Sequence, residues 1–448
     1  MAISIRKESN PVKGNVDYTG RTNTSDNKIV YEYRTVRCGI PHPPIGMPVG
    51  SPLYTFVHNK PIKIPQPPPI EMPEANLERA ISYGADASGC YWWRLGWPEY
   101  LLNIGNKAIV SSLSQMIFDI NFYLRLKSVK IQRQATDAQT NFVKELAKLR
   151  EQNGMSLVYE VDDIVFKDDI PDYNRCKEAF LEGNIADNIM ELMNIVDEIT
   201  VTCDFMKKYY QEKTGNKKVT IVPNYIPKFW ADRFYDKKRL QENFDKNKKK
   251  PRILYAGSGT HVDILNKTGG KDDFQHILSS IIKARKDFQF VFKGCFPIQV
   301  KPFIDSGEME YVKWSPLQEL PQGIMDLNCQ AVFAPLADNT YNKSKSEIKL
   351  LESGALGIPG AFQDICTYSN ATTKFQTGDE LIDQLKNITK NKSDYMKHSD
   401  LARKYVETMW LEDHISEAQA TYFTKFGSPE RNKMSPNLIK LNPDQKSS

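Results

Sequence analysis

The strongest constraint on this chain is an alternation of short β-rich runs with helical segments from about residue 79 onward, repeated as two consecutive series. In the first series the strand-like runs are Ala80–Tyr83, Lys107–Val110, Val129–Arg133, Leu157–Val161, Glu198–Thr202 and Val219–Val222. The clearest helix between them, Ala138–Glu151, places Phe142, Leu146 and Leu149 on one stripe. The second series opens with Pro251-Arg-Ile-Leu-Tyr-Ala-Gly257 and continues through Phe288–Gly294, Tyr311–Trp314, Ala331–Pro335 and Pro359–Phe362. Parallel strands need crossover connections, so strands that alternate with helices build parallel sheets covered on both faces. The expected class is α/β, with two Rossmann-like, doubly wound domains facing a cleft.

Size agrees, because 448 residues exceed what one core usually supports. The boundaries expected are a Pro-rich N-terminal extension over 1–78, a first Rossmann-like domain over 79–235, a charged linker over 236–250 and a second Rossmann-like domain over 251–400. A helix over 401–426 then returns to the first domain, and a polar tail covers 427–448. The extension carries eleven prolines between Pro41 and Pro73, which excludes helices there and leaves Ile29–Val36 and Leu53–Ile64 as edge strands or a hairpin. Asp236–Arg252 holds eight basic residues against three acids and reads as a solvated interdomain linker. Ser393–Phe426 reads as helix throughout, anchored by Tyr405, Met409 and Trp410.

Composition narrows the function. Seven scattered cysteines with no Cys-x-x-Cys spacing point to reduced thiols and give no metal site. The formal charge of +5 favours acidic ligands without by itself implying nucleic acid. No apolar run approaches the ~18 residues of a membrane span, and the start MAISIRKESN has no signal-peptide core. A cytoplasmic protein is expected, and the abundance of lysine, asparagine and isoleucine suits an AT-rich bacterial or phage genome.

The chemistry should lie where strand ends meet helix starts, since open α/β sheets bind ligands beyond the carboxyl ends of their strands. Ser344 followed by Glu347 has the capping-box spacing and predicts a helix from Lys345 to about Gly354–Gly357. On that helix Lys345, Lys349 and Glu352 share a face: the N-terminus and lysines suit a diphosphate, the carboxylate suits ribose hydroxyls, and Ser344 and Ser346 lie beside them. The alternative is an exposed helix with Lys349 and Glu352 paired at the surface. Gly257-Ser-Gly-Thr-His261 is a small-residue turn at the end of the first strand of the second series, joined there by Lys293-Gly294. In the first series, Ser88-Gly89 opens a turn after the first strand, and Asp162 and Asp163 end a later one. Those aspartates either contact substrate or cap the next loop. Trp92, Trp93 and Trp97 read as hydrophobic packing.

Taken in order, Ser88-Gly-Cys-Tyr-Trp-Trp-Arg94, Glu160-Val-Asp-Asp163, Val222-Pro-Asn224, Gly257-Ser-Gly-Thr-His261, Ala334-Pro-Leu336, and Asn342 to Glu352 followed by Gly357-Ile-Pro359 resemble the GT-B-fold retaining glycosyltransferases. The likeness is to bacterial and phage members of the sucrose-synthase and mannosyltransferase-like group, and covers about Ser82–Phe426. It implies transfer of a sugar from a nucleotide-diphosphate sugar, UDP- or GDP-linked, to an acceptor hydroxyl with retention, without a tightly bound cofactor or required metal. It makes the first domain the acceptor domain and the second the nucleotide-sugar domain. Asp162, Asp163 and Lys345 become the catalytic residues. Donor binding falls to Ser88, Gly89, Gly257, Ser258, Gly259, Thr260, His261, Lys293, Ser344, Ser346, Lys349 and Glu352. Two departures stand out: Ser344 occupies the place of a usual glutamate, and Ser258, Thr260 and His261 replace a usual arginine and lysine. The acceptor is either a glycan, free or lipid-linked, or hydroxymethylcytosine in phage DNA. Alternatives are a nucleotide-sugar epimerase or phosphorylase, and a noncatalytic sugar-nucleotide or nucleic-acid binding protein on a degenerate fold.

Overall fold

The computed structural model describes residues 79–86, 88–105, 109–180, 183–215 and 218–423, with four short strands nearer the N-terminus. Those four form two antiparallel pairs, Arg21–Asn23 with Ile29–Tyr31 and Phe56–Val57 with Lys60–Pro61. The rest of the Pro-rich extension and the polar tail lie outside the described residues.

Two six-stranded sheets dominate, each parallel throughout. The first contains β1 (Arg79–Tyr83), β2 (Ile109–Leu113), β3 (Ser128–Gln132), β4 (Ser156–Glu160), β5 (Glu198–Val201) and β6 (Val219–Ile221), in the order β2-β1-β3-β4-β5-β6. The second contains β7 (Arg252–Gly257), β8 (Gln289–Gly294), β9 (Glu310–Val312), β10 (Ala331–Ala334), β11 (Gly360–Gln363) and β12 (Lys374–Phe375), in the order β9-β8-β7-β10-β11-β12. Both orders reverse direction beside the first strand, at β1/β3 and β7/β10, and such switch points open a crevice at the carboxyl ends of the strands. Of the expected run Lys107–Val110, Lys107 and Ala108 lie outside the described residues, and β12 is an edge strand that its two-residue length conceals in the sequence.

Local chemistry explains the elements. The helix Asp137–Asn153 starts at a capping box between Thr136 and Gln139, ends at Gly154 with φ 71°, and buries Val143, Leu146 and Leu149. β8 and β10 bring Phe290, Phe292 and Phe333 against Tyr255 and Phe274 in the core of the second half. Trp92, Trp93 and Trp97 are buried, Trp92 against Trp97 at 4.8 Å between ring centroids and Trp93 against Trp230 at 5.5 Å.

Two segments differ from expectation. The charged run is not a solvated linker but a helix, Lys237–Asn247, whose N-cap Asp236 accepts from Arg239 N at 3.0 Å. Its lysines sit on the outer side while Leu240 and Phe244 enter the core, Phe244 stacking on Tyr395 at 5.2 Å. The C-terminal helix is two helices, Lys392–Val406 and Leu411–Phe423. Between them Ile226 N donates to Met409 O at 3.0 Å and Leu411 N to Ile226 O at 2.9 Å, a strand-like pairing that breaks the helical ladder. Helix Leu411–Phe423 lies on the first sheet: the buried Lys130 Nζ donates to Thr421 Oγ1 at 2.6 Å and sits 3.7 Å over the Tyr422 ring. Tyr422 also donates to Glu99 Oε1 at 2.5 Å. Among the described residues no helix is long and apolar enough to cross a membrane.

Candidate functional site

At the first switch point, β1, β3 and β4 deliver Asp86, Arg133, Asp162 and Asp163 to one place. Arg133 follows β3 with φ 50°, a left-handed backbone that costs a non-glycine residue energy and recurs at ligand sites. Its guanidinium reaches Asp86 Oδ2 at 3.3 Å and Asp162 Oδ1 at 3.4 Å. Asp86 in turn accepts from Ser88 N at 2.8 Å and Tyr91 N at 3.3 Å, fixing the turn through Ser88 and Gly89 into the helix that carries the tryptophans. Burial pushes the Asp162 carboxyl up, but Arg133, the Cys90 thiol and Arg94 together hold it below its usual range. Burial prevails at Asp163, which is raised although Lys345 opposes the shift. Cys90, Asp162 and Asp163 offer ligand atoms within 4.8 Å of one another, yet each carboxylate already faces a cation.

A second buried hub lies beneath. Arg94 Nε donates to Glu160 Oε1 at 2.7 Å and Nη2 to Oε2 at 3.3 Å, while Nη1 reaches Val222 O at 2.5 Å and Asn224 Oδ1 at 2.9 Å. Thr200 donates to the same glutamate. Asn224 then donates from Nδ2 to Ser346 Oγ of the second half at 2.8 Å. One guanidinium therefore ties three motifs, distant in sequence, to the cleft.

In the second half, the capping-box expectation is overturned. The helix spans Ile348–Ala355, not Lys345 onward, because Asn339 caps a separate short helix, Thr340–Lys343, that ends at Ser344. Ser344 Oγ is buried and donates back to Tyr341 O at 2.6 Å, and Glu347 pairs with Asn370 and Tyr405. Lys345 thus lies before the helix and crosses the cleft, its Nζ 2.8 Å from Asp163 Oδ1 and 3.0 Å from Tyr341 Oη. Lys349 and Glu352 do share a helix face, but they are not surface residues. Lys349 Nζ is out of solvent contact without a hydrogen-bond partner among the described residues, 4.7 Å over the Tyr255 ring. Burial lowers its pKa to about 8, and burial raises that of Glu352 to about 7 against the pull of Lys349.

The turn after β7 reaches the same region. Gly257 admits no side chain, since a Cβ there would lie 2.2 Å from Tyr255 Oη. Gly294, at the end of β8, has φ 95° and would place a Cβ 2.5 Å from Gly257 O. His261 Nδ1 is 2.7 Å from Asp273 Oδ2, and burial together with Lys349 lowers its pKa to about 4 despite that carboxylate. Asp273, fully buried, also accepts from Tyr173 Oη of the first half at 2.7 Å, Ala337 N at 3.0 Å and Asn342 Nδ2 at 2.6 Å.

No family model matches this sequence, and no curated protein matches it in sequence. Solved structures match in shape. Alr3699/HepE of Anabaena, in complex with UDP, has a TM-score of 0.50 at 8% identity over 77% of this chain and 98% of that one. Its complex with UDP-glucose gives the same score and identity, over 77% of this chain and 100% of that one. A UDP-forming α,α-trehalose-phosphate synthase from Burkholderia xenovorans has a TM-score of 0.44 at 10% identity, over 68% and 75% of the two chains. This chain has the GT-B fold.

Within the GT-B cleft the sequence-derived residues separate into groups. Asp163 meets Lys345 directly, Asp162 meets Arg133, and His261 lies in the electrostatic field of Lys345 and Lys349. Ser88 and Gly89 stand at the opposite rim on Asp86. Gly259 is buried and packs toward Arg175 of the first half, whereas Ser258 and Thr260 bond to each other at 2.8 Å on the surface. Lys293 is not brought to the Lys349 cluster: its buried Nζ donates to Lys313 O at 3.3 Å, and burial lowers its pKa. Ser344 turns away, and Ser346 faces Asn224. Sequence reasoning missed Arg133, Tyr341, Asn342 and Asp273. The Asp272-Asp273 pair in a glycine-bearing loop was the available signal for the last, though its partners lie up to a hundred residues away.

Proposed function

We propose that the protein is a glycosyltransferase that moves a sugar from a nucleotide-diphosphate sugar to an acceptor hydroxyl, with retention of configuration as its motifs suggest. The observation that carries this reading is the pair Lys349 and Glu352, one helical turn apart beside the β7/β10 switch point, the Lys349 Nζ out of solvent contact, Glu352 buried, and neither held by a hydrogen bond among the described residues. Buried charge is retained at a cost that a ligand must offset. A diphosphate against Lys349 and ribose hydroxyls against Glu352 would satisfy both, and HepE in the same fold was solved with UDP and UDP-glucose. Lys345 and Asp163 close the cleft over the transferred sugar, with Asp162 oriented by Arg133. Catalysis then consists of charge stabilisation at the departing phosphate and orientation of both substrates.

The reaction is placed in the cytoplasm of a bacterial host or phage-infected cell, and the acceptor is a glycan or hydroxymethylated DNA. Mass spectrometry of products from a panel of UDP- and GDP-sugars, each incubated with a lipid-linked glycan and with hydroxymethylated duplex DNA, tests the proposal and names the acceptor. A protein that binds nucleotide sugars yet transfers none to either acceptor, and releases no free sugar, is the noncatalytic alternative.

A further inference from the structure

The Asp273–His261 pair does more than hold a loop. Asp273 Oδ1 receives three donors, the Tyr173 hydroxyl, the Ala337 amide and the Asn342 amide group, while Oδ2 faces His261 Nδ1 at 2.7 Å. A carboxylate is an acceptor only, so the ring proton of His261 sits on Nδ1, where it faces Oδ2. Burial and the neighbouring Lys349 and Lys345 keep the imidazole neutral at neutral pH, with a pKa of about 4 that the facing Asp273 does not restore. Nε2 is then a bare lone pair, and it has no hydrogen-bond partner among the described residues. A lone pair repels a phosphate oxygen and needs an O–H or N–H group opposite it. Lys349, whose Nζ has no hydrogen-bond partner among the described residues, carries the charge a diphosphate requires, so the ring is left for a different part of the same ligand.

We propose that His261 Nε2 accepts a hydrogen bond from a hydroxyl of the transferred sugar, so that the Asp273–His261 pair determines which sugar the site selects. This rests on the donor-site reading above. A site built to accept from a hydroxyl discriminates strongly against a ligand that lacks it, because the acceptor is then left buried and unpaired. Asp273 is a positioning residue: it fixes the tautomer and touches no substrate.

Calorimetry without any acceptor tests the assignment on the full chain. UDP and GDP are compared first, and the glucose conjugate of whichever binds becomes the probe, alongside analogues in which each sugar hydroxyl in turn is replaced by fluorine, which cannot donate. The wild type is expected to lose roughly tenfold or more in affinity for one analogue. His261→Ala should bind the conjugate and all analogues alike while keeping wild-type affinity for the free nucleoside diphosphate. Asp273→Asn, with His261 intact, should show the same lost discrimination, as expected when the tautomer is freed. The proposal is overturned if the wild type binds every analogue equally, if His261→Ala keeps the wild-type preference, or if it weakens the free diphosphate as much as the conjugate. Failure of both UDP and GDP to bind the wild type overturns the donor-site reading itself.

Discussion

Lys345 Nζ, carried by the second half, stands 2.8 Å from Asp163 Oδ1 of the first, and both side chains are only 16% exposed. Tyr341 joins them, its hydroxyl accepting from Lys345 at 3.0 Å and donating to Asp163 Oδ2 at 3.4 Å. Removing one member leaves the other charge buried and unpaired, which costs far more than removing both. Lys345→Met should therefore lower stability by about 3 kcal/mol, the low end for a buried pair because some solvent reaches it. Lys345→Met with Asp163→Asn should recover most of that loss in urea denaturation. Strictly additive losses would show that the two groups do not interact.

Lys349 should matter more than Lys345 for the nucleotide alone. Lys345 is neutralised by Asp163, while Lys349 Nζ is buried without a hydrogen bond among the described residues. Lys349→Met should weaken UDP or GDP binding by about 1.5–3 kcal/mol, the range for a charge-assisted hydrogen bond. Lys345→Met should change that affinity little and act on turnover. Calorimetry with the free nucleotides separates the two, and the reverse ranking would move the diphosphate site toward Asp163.

Glu352 makes stability depend on pH. Its folded pKa of about 7 lies above the ordinary carboxylate value of 4.5, chiefly through burial, so the folded state binds more protons between those values than the unfolded chain. That contribution is fully present below about pH 4.5 and is lost as pH rises through about 7. Across this window Lys349 stays largely protonated folded or unfolded and adds little slope. Glu352→Gln should gain roughly 3 kcal/mol on the wild type between the two ends of the window. It should also weaken nucleotide binding by about 1.5–3 kcal/mol, from lost hydrogen bonds to ribose. Urea titrations that run parallel for the two proteins at every pH would contradict the buried, weakly compensated carboxylate.

Arg94 and Glu160 form the most deeply buried ion pair at the cleft, with side chains 2% and 1% exposed. Arg94→Met strands Glu160 and frees Val222 O and Asn224, so a loss of about 3–5 kcal/mol is expected. Thermal unfolding measures it. A small shift in melting temperature would mean that water replaces the guanidinium.

The two sheets were legible because each parallel strand and its crossover leave a local trace, and the glycine turns at Gly257 and Gly294 mark places where the Tyr255 side chain and the Gly257 backbone, respectively, leave no room for a side chain. The start of the Lys349 helix was not legible. Ser344 and Glu347 have the right spacing for a capping box, but a four-residue helix capped by Asn339 already uses Ser344, and Asn370 and Tyr405 draw Glu347 away. Competition of that kind is settled by tertiary partners. The same holds for Asp273, whose meaning comes from Tyr173, His261 and Asn342, and for the helix Lys237–Asn247, whose charge concealed two buried anchors.

The path of the last helix sets an order of events during synthesis. Lys130 and Glu99, buried in the first half, find their partners Thr421 and Tyr422 only in the final described turn. Until that turn leaves the ribosome, Lys130 and Glu99 lack these two partners, and Glu99 keeps only donors from its own half such as Ser112. Covering of that face of the first sheet therefore waits for synthesis of the whole second half.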